Sequence, residues 1–153
     1  MREIKFRGYS EFYKKWLYGS LVDNLFKDRK TGEKCSYIFD TSLNENYDCW
    51  EDFIQDEELE VITNSVGQYT GLKDKNGVEI YEGDIIKDSS NRLMTVEWDR
   101  RVGTSRFIFK TINNIGHIKI GRFLNTHEWI MPDDNDIEVV GNIYEDKELL
   151  EQI

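Results

Sequence analysis

Imidazole is scarce in this chain of 153 residues: His117 and His127 are its two histidines. With Glu128 or Asp84 they could begin a cation site. Two imidazoles without an ordered third ligand do not define one, however, and they read as surface or turn residues. The acidic run Asp133-Asp-Asn-Asp136 lacks the alternating ligands and the glycine of a calcium loop. The stretch from Gly67 to Gly71 lacks the Gly-Lys-Ser/Thr ending that cradles phosphates. Neither HExxH nor GxSxG occurs, and carboxylates are too abundant for any one pair to stand out as an acid–base dyad. Cys35 and Cys49 lack CxxC spacing and read as reduced thiols. The expectation is a protein that is not an enzyme and has no cofactor and no metal.

Charge is the stronger signal. The formal net charge of −10 is unevenly spread. Residues 1–34 sum to +4, residues 35–72 contain no Lys or Arg and sum to −9, and residues 73–153 sum to −5. Within the last block, residues 87–122 sum to +5 and residues 123–153 to −8. Opposite segments of this kind neutralise each other within a fold or between identical copies. The basic stretch is also a candidate nucleic-acid face, formed by Arg92, Arg100, Arg101, Arg106 and Lys110 near Trp98, Phe107 and Phe109. Strand alternation would put Phe107 and Phe109 on one side and Arg106 and Lys110 on the other. Aromatic residues in the core and cations in solvent is the simpler account, so nucleic acid is the disfavoured alternative.

These side chains must be positioned by strands. Residues 3–7 alternate, with Ile4 and Phe6 on one side and Glu3, Lys5 and Arg7 on the other. Residues 16–26 and 36–39 read as a second and third strand. Tyr47, Trp50, Phe53 and Ile54 recur at helical spacing, which predicts an amphipathic helix over residues 45–58 with an acidic outer face. Asn76-Gly77 predicts a type I′ turn. Five strands follow, over residues 84–88, 92–99, 105–112, 117–123 and 137–144. In the second of them Met94, Val96 and Trp98 face one way and Thr95, Glu97 and Asp99 the other. Residues 124–136 form the longest connection, and residues 146–153 a short helix. Short consecutive strands point to a small closed barrel, with an open sheet as the competing architecture.

The segment Val66-Gly-Gln-Tyr-Thr-Gly-Leu-Lys-Asp-Lys-Asn-Gly-Val-Glu-Ile-Tyr-Glu-Gly-Asp-Ile-Ile86 closely resembles the signature of the YopX family, found mainly in bacteriophages and prophages. The opening Arg2-Glu-Ile-Lys-Phe-Arg7 and the later Val140-Gly-Asn-Ile-Tyr-Glu145 resemble the family's N- and C-terminal strands. Ser65 stands where Thr is frequent, and Gly8-Tyr9 where an Ala-Trp-like pair is common; both bear on local packing only. The resemblance implies a mostly β protein with SH3-like barrel character in its C-terminal half and a tendency to form homo-oligomers. It supplies no catalytic residues. Its signature positions, Gly67, Tyr69, Gly71, Asn76, Gly77, Tyr81, Gly83 and Asp84, read as a scaffold: glycines at tight backbone geometry, tyrosines as core surface, and Asp84 as an acceptor of backbone N–H groups.

The expected fold is therefore mainly β with short helices. Residues 1–65 hold the N-terminal strands and acidic helix, residues 66–145 the signature and an SH3-like barrel, and residues 146–153 a terminal helix. The expected function is that of an acidic phage or prophage accessory protein in the cytoplasm of a bacterial host. It associates with itself or with a host or phage protein and has no membrane contact, because no run of 18 apolar residues occurs and the charged start is no signal peptide. Binding of nucleic acid through residues 87–122, or mimicry of DNA by the acidic segment to inhibit a host protein, are the alternatives.

Overall fold

Alternating β-branched and aromatic residues punctuated by glycine and by Asp/Asn-rich turns make strands, and strands dominate the computed structural model. It describes residues 3–27, 32, 34–39, 59–100, 106–112 and 136–151. The expected helix over residues 45–58, the expected strand over residues 117–123, Cys49, Arg101, His117 and His127 lie outside the described residues. The chain divides into two units, Met1–Tyr69 and Thr70–Ile153. Among the described residues there is one α-helix, and no helix is long and apolar enough to cross a membrane.

In the first unit, β1 (Phe6–Ser10), β2 (Lys15–Lys27), β3 (Lys34–Phe39), β4 (Glu60–Val61) and the start of β5 (Gly67–Lys73) form an antiparallel sheet in the order β4-β3-β2-β1-β5. Leu17, Ile38 and Val61 are its buried centre, with Phe6, Tyr13, Leu21 and Val66 packed around them. The sheet is strongly curled. In a flat sheet β4 and β1 would stand three strand spacings apart, about 14 Å. Here the N–H of Ile62, the residue after β4, donates to the carbonyl of Tyr9 on β1 at 3.0 Å. A 3-10 turn at Thr63–Ser65 completes the link. The Ser65 hydroxyl accepts from the Tyr9 N–H at 2.8 Å and donates to the Ile62 carbonyl at 2.7 Å.

The first strand lies later than its alternation suggests. It begins at Phe6, where pairing with β2 starts (Phe6 opposite Gly19, Ser10 opposite Lys15), so Ile4 precedes it and is 68% exposed. Arg7, expected in solvent, is 7% exposed, with its guanidinium carbon 4.6 Å from the centre of the Trp16 ring. Cation–π contact lets a charged side chain lie flat on the sheet.

In the second unit, β5 ends beside β6 (Glu79–Tyr81). A four-stranded antiparallel sheet follows, built from β7 (Asp84–Lys87), β8 (Leu93–Asp99), β9 (Arg106–Thr111) and β10 (Glu138–Asn142) in the order β10-β7-β8-β9. Among the described residues these strands do not form a closed barrel. Ile80, Ile86, Met94, Val96 and Ile137 are the core, flanked by Leu72, Phe107, Phe109 and Val139. The alternation of β8 does not separate core from solvent as expected, because Thr95 and Asp99 are buried as well as Met94 and Val96. Thr95 sits opposite Ile85, itself fully buried, so this part of the sheet is covered on both faces. The helix α1 is Lys147–Glu151. Its entry is fixed by Asp146, whose carboxylate accepts from the Asn142 N–H at 2.9 Å while its carbonyl accepts from the Leu149 N–H.

The curl of the first sheet leaves no room over Gly8, where an added Cβ would stand 2.6 Å from Val61 Cγ2. Gly8→Ala is expected to cost about 1–3 kcal/mol in denaturant unfolding, the usual penalty of overpacking. The double variant Gly8→Ala/Val61→Ala should be less destabilised than the two single changes together. Strict additivity would mean that the two positions do not meet.

Candidate functional site

The signature positions occupy a series of backbone constraints. Gly67 is buried opposite Arg7 on β1, and the N–H of buried Tyr69 donates to the Lys5 carbonyl at 2.8 Å. Gly71 has φ +90° within β5, while the neighbouring Thr70 hydroxyl donates to the Ile80 carbonyl at 2.8 Å. Tyr81, Gly83 and Asp84 come together in the turn between β6 and β7. Gly83, at φ +84°, donates its N–H to the Val96 carbonyl and accepts from the Ile143 N–H, both at 2.9 Å. Asp84, almost completely buried, accepts the Tyr81 N–H at 2.7 Å, and the Tyr81 hydroxyl donates to Glu79 at 2.6 Å.

The turn at Asn76-Gly77 differs from the expected type I′. That type needs positive φ at both central residues, and here Gly77 has φ +82° whereas Asn76 does not share it. The loop has three residues, Lys75, Asn76 and Gly77. The Gly77 N–H donates to the Asp74 carbonyl at 2.9 Å and the Asp74 N–H to the Val78 carbonyl at 2.8 Å. Buried Asp74 selects this form: its Oδ1 accepts from the N–H groups of Asn76 and Val78 at 2.7 and 2.9 Å.

The same turn recurs between β7 and β8, headed by Asp88. The Asp88 Oδ1 accepts from the N–H groups of Ser90 and Arg92, each at 2.9 Å, and Asn91 takes the positive φ, +59°. The two turns differ in what the second oxygen holds. Asp74 Oδ2 accepts the Val139 N–H of β10 at 3.0 Å, whereas Asp88 Oδ2 is bound by the Arg92 guanidinium at 2.6 Å. An ion pair between Lys75 and Glu138, 2.7 Å long, runs beside the first of these links and holds the Glu138 carboxyl below its ordinary range. Burial raises the pKa of Asp74, but the N–H groups of Val139, Val78 and Asn76 more than offset it and leave the carboxyl below the ordinary value. For Asp88, burial is likewise offset, chiefly by the backbone and guanidinium of Arg92. Neither acid stood out in the sequence. The available signal was an Asp three residues ahead of a Gly or Asn between two apolar runs.

The expected basic face is broken up. Arg92 is bound to Asp88, Lys110 lies 3.1 Å from Glu97, and Arg106 sits opposite Asp99 in the β8–β9 register. Arg100 is exposed, and Arg101 lies outside the described residues. Phe107 and Phe109 pack against the core, and Trp98 meets Phe107 edge to face at 4.7 Å. Among the described residues, no group of three His, Cys, Asp or Glu side chains is arranged to hold a metal ion.

Because the lowered pKa of Asp74 lies below its unfolded-state value, near the ordinary 3.8, its stabilisation is full above that pH and is lost as pH falls through the folded value. Asp74→Ala leaves three N–H groups without their acceptor and should cost about 2–4 kcal/mol in thermal or denaturant unfolding at pH 7. Asp74→Asn retains one acceptor oxygen but presents an NH2 group to the Val139 N–H. It should be less damaging and should flatten the loss of stability below pH 3.8. An acid limb as steep in Asp74→Asn as in the parent would contradict this role.

The model of the YopX protein family matches residues 5–151. No curated protein matches the chain. The crystal structure of protein EF1440 from Enterococcus faecalis is similar over 98% of this chain and 99% of that one, at 28% identity and a TM-score of 0.44. With the family match running nearly end to end, through the signature strands and turns described above, the chain belongs to the YopX family.

Proposed function

We propose that this chain is a non-catalytic accessory protein of a bacteriophage or prophage, acting in the host cytoplasm as an oligomeric interaction or structural protein. The observation that carries the reading is where the signature and its surroundings spend their ionisable groups. Asp74, Asp84 and Asp88 accept the chain's own N–H groups, and Arg92 and Lys110 bind its own carboxylates. A carboxylate that fixes a turn in this way is committed before any substrate arrives. Self-association is supported by the segregation of charge along the chain, +4 over residues 1–34 against −9 over residues 35–72, since unlike patches dock between copies. The proposal includes an SH3-like barrel in the C-terminal half. Its support is the order β10-β7-β8-β9, in which the last strand returns beside the first.

Light scattering coupled to size exclusion tests the assembly. At low salt the mass should be a multiple of the chain mass, and it should fall as salt rises and screens the docking charges. A monomer at high concentration and low salt would overturn the proposal. So would retention of DNA that is lost on Arg100→Glu/Arg101→Glu, which would put the function on the face formed by residues 87–122 instead.

A further inference from the structure

Asn76-Gly77 is a reactive pair as well as a turn. The side-chain amide of an asparagine is open to attack by the backbone nitrogen of the next residue, and glycine, with no side chain, obstructs that nitrogen least. Asn76 and Gly77 are both exposed, and beyond its two neighbours no part of the chain lies within 4 Å of where a Gly77 Cβ would stand. The turn nevertheless holds the groups the reaction needs. The Gly77 N–H, on the attacking atom, is donated to the Asp74 carbonyl at 2.9 Å, and the Asn76 N–H to Asp74 Oδ1 at 2.7 Å. The Asn76 side chain also bonds the Asp74 carboxylate. Beside it, the Lys75 N–H donates to the Ile137 carbonyl at 3.0 Å and the Lys75 ammonium pairs with Glu138 at 2.7 Å. The equivalent turn headed by Asp88 carries Asn91, but there the next residue is Arg92, which has a side chain and whose N–H is taken by Asp88 Oδ1 at 2.9 Å.

We propose that Asn76 is a site of spontaneous modification and that the Asp74 turn is the latch that sets its rate. Once the turn opens, the Gly77 nitrogen bonds to Asn76 Cγ, the Cγ–Nδ2 bond breaks, and ammonia leaves with the proton that the Gly77 nitrogen gives up. The cyclic imide so formed is opened by one water, whose hydroxyl goes to either carbonyl carbon and whose remaining proton returns to the nitrogen. The product is aspartate or isoaspartate in place of the asparagine. While the turn is closed the Gly77 nitrogen keeps its proton on the Asp74 carbonyl, so the reaction draws on locally opened molecules. Either product puts a second carboxylate beside that of Asp74, and like charges at that range oppose reclosure. Isoaspartate also lengthens the backbone of a three-residue loop by one carbon. Modification therefore loosens the hold of Asp74 on the Val139 N–H and on β10.

Peptide mass spectrometry tests this after the full chain is incubated at neutral pH in heavy-oxygen water and digested in ordinary water. Trypsin frees Asn76 in residues 76–87 and Asn91 in residues 88–92. Label should enter residues 76–87 and not residues 88–92. Unfolding in urea should speed the reaction at Asn76, and Asp74→Ala should speed it in buffer about tenfold or more. Gly8→Ala, which weakens the first unit, should leave the rate as in the parent. Thermal melts establish that each variant is folded. If Asp74→Ala is not, Glu138→Gln, which removes the ion pair from Lys75, should still raise the rate about twofold. A parent that reacts in buffer as fast as in urea would overturn the proposal, as would an Asn76 that takes up no label even in urea. So would folded Asp74→Ala and Glu138→Gln variants that react like the parent, or a Gly8→Ala chain that reacts as fast as Asp74→Ala.

Discussion

Where a strand ends, its N–H groups lose their ladder partners, and buried donors left without an acceptor are costly. In this protein short oxygen-bearing side chains take over at the strand ends. Ser65 accepts the Tyr9 N–H beside the last turn before β5, Asp74 and Asp88 hold the turns after β5 and β7, and Asp84 holds the turn before β7. Asn142 does the same after β10, where its Oδ1 accepts from the N–H groups of Tyr144 and Glu145. The strands are short, so a large share of the backbone lies at an end. The turns are thus as decisive as the hydrophobic pattern. Asp74 shows the leverage of one such group: through its two oxygens it closes the β5–β6 hairpin and anchors the first residues of β10, which are distant in the chain.

This explains what was legible in the sequence. Among the described residues, the strands expected over 84–88, 92–99, 105–112 and 137–144 are found within a residue or two of where alternation and glycine spacing place them, because the periodicity of two is set by covalent geometry. The Asn76-Gly77 pair marked a turn correctly in place but not in type. A dipeptide reports which residues tolerate positive φ, whereas the loop length is chosen by the carboxylate two positions earlier. Arg7 and Ile4 exchanged their expected environments for a similar reason. Polarity predicts solvent for arginine, but a ring on the neighbouring strand at the right register gives its guanidinium a place on the sheet. Thr95 and Asp99 are buried on a face that polarity assigned to water, since alternation reports which residues share a side and not whether that side is covered.

The signature segment was legible as a set of positions but not as a mechanism for them. Its glycines and its Asp read as tight geometry; in the structure Gly83 has positive φ and Asp84 accepts a backbone N–H. The two acids that organise the neighbouring turns, Asp74 and Asp88, did not stand out in the sequence. A carboxylate inside its own Asx-type turn is indistinguishable from a solvated one until the register of the following strand is known.

The two basic–aromatic stretches show how parity, rather than composition, decides what a surface can do. On β9 the cations Arg106 and Lys110 are separated by an even number of positions from each other and by an odd number from Phe107 and Phe109, so the rings pack on the core while the cations take the other face, Lys110 exposed and Arg106 half-buried opposite Asp99. On the β1–β2 hairpin, Arg7 and Tyr9 are two apart, Trp16 and Tyr18 are two apart, and the register aligns the two pairs on one side. The same residue types therefore make an ordinary half-buried strand in one place and a mixed ring-and-cation surface in the other. Summed charge over a segment sees the first stretch as the more basic, +5 over residues 87–122 against +4 over residues 1–34. Pleat by pleat the two differ, because Arg7 lies buried over Trp16 whereas Lys110 is exposed beside Glu97.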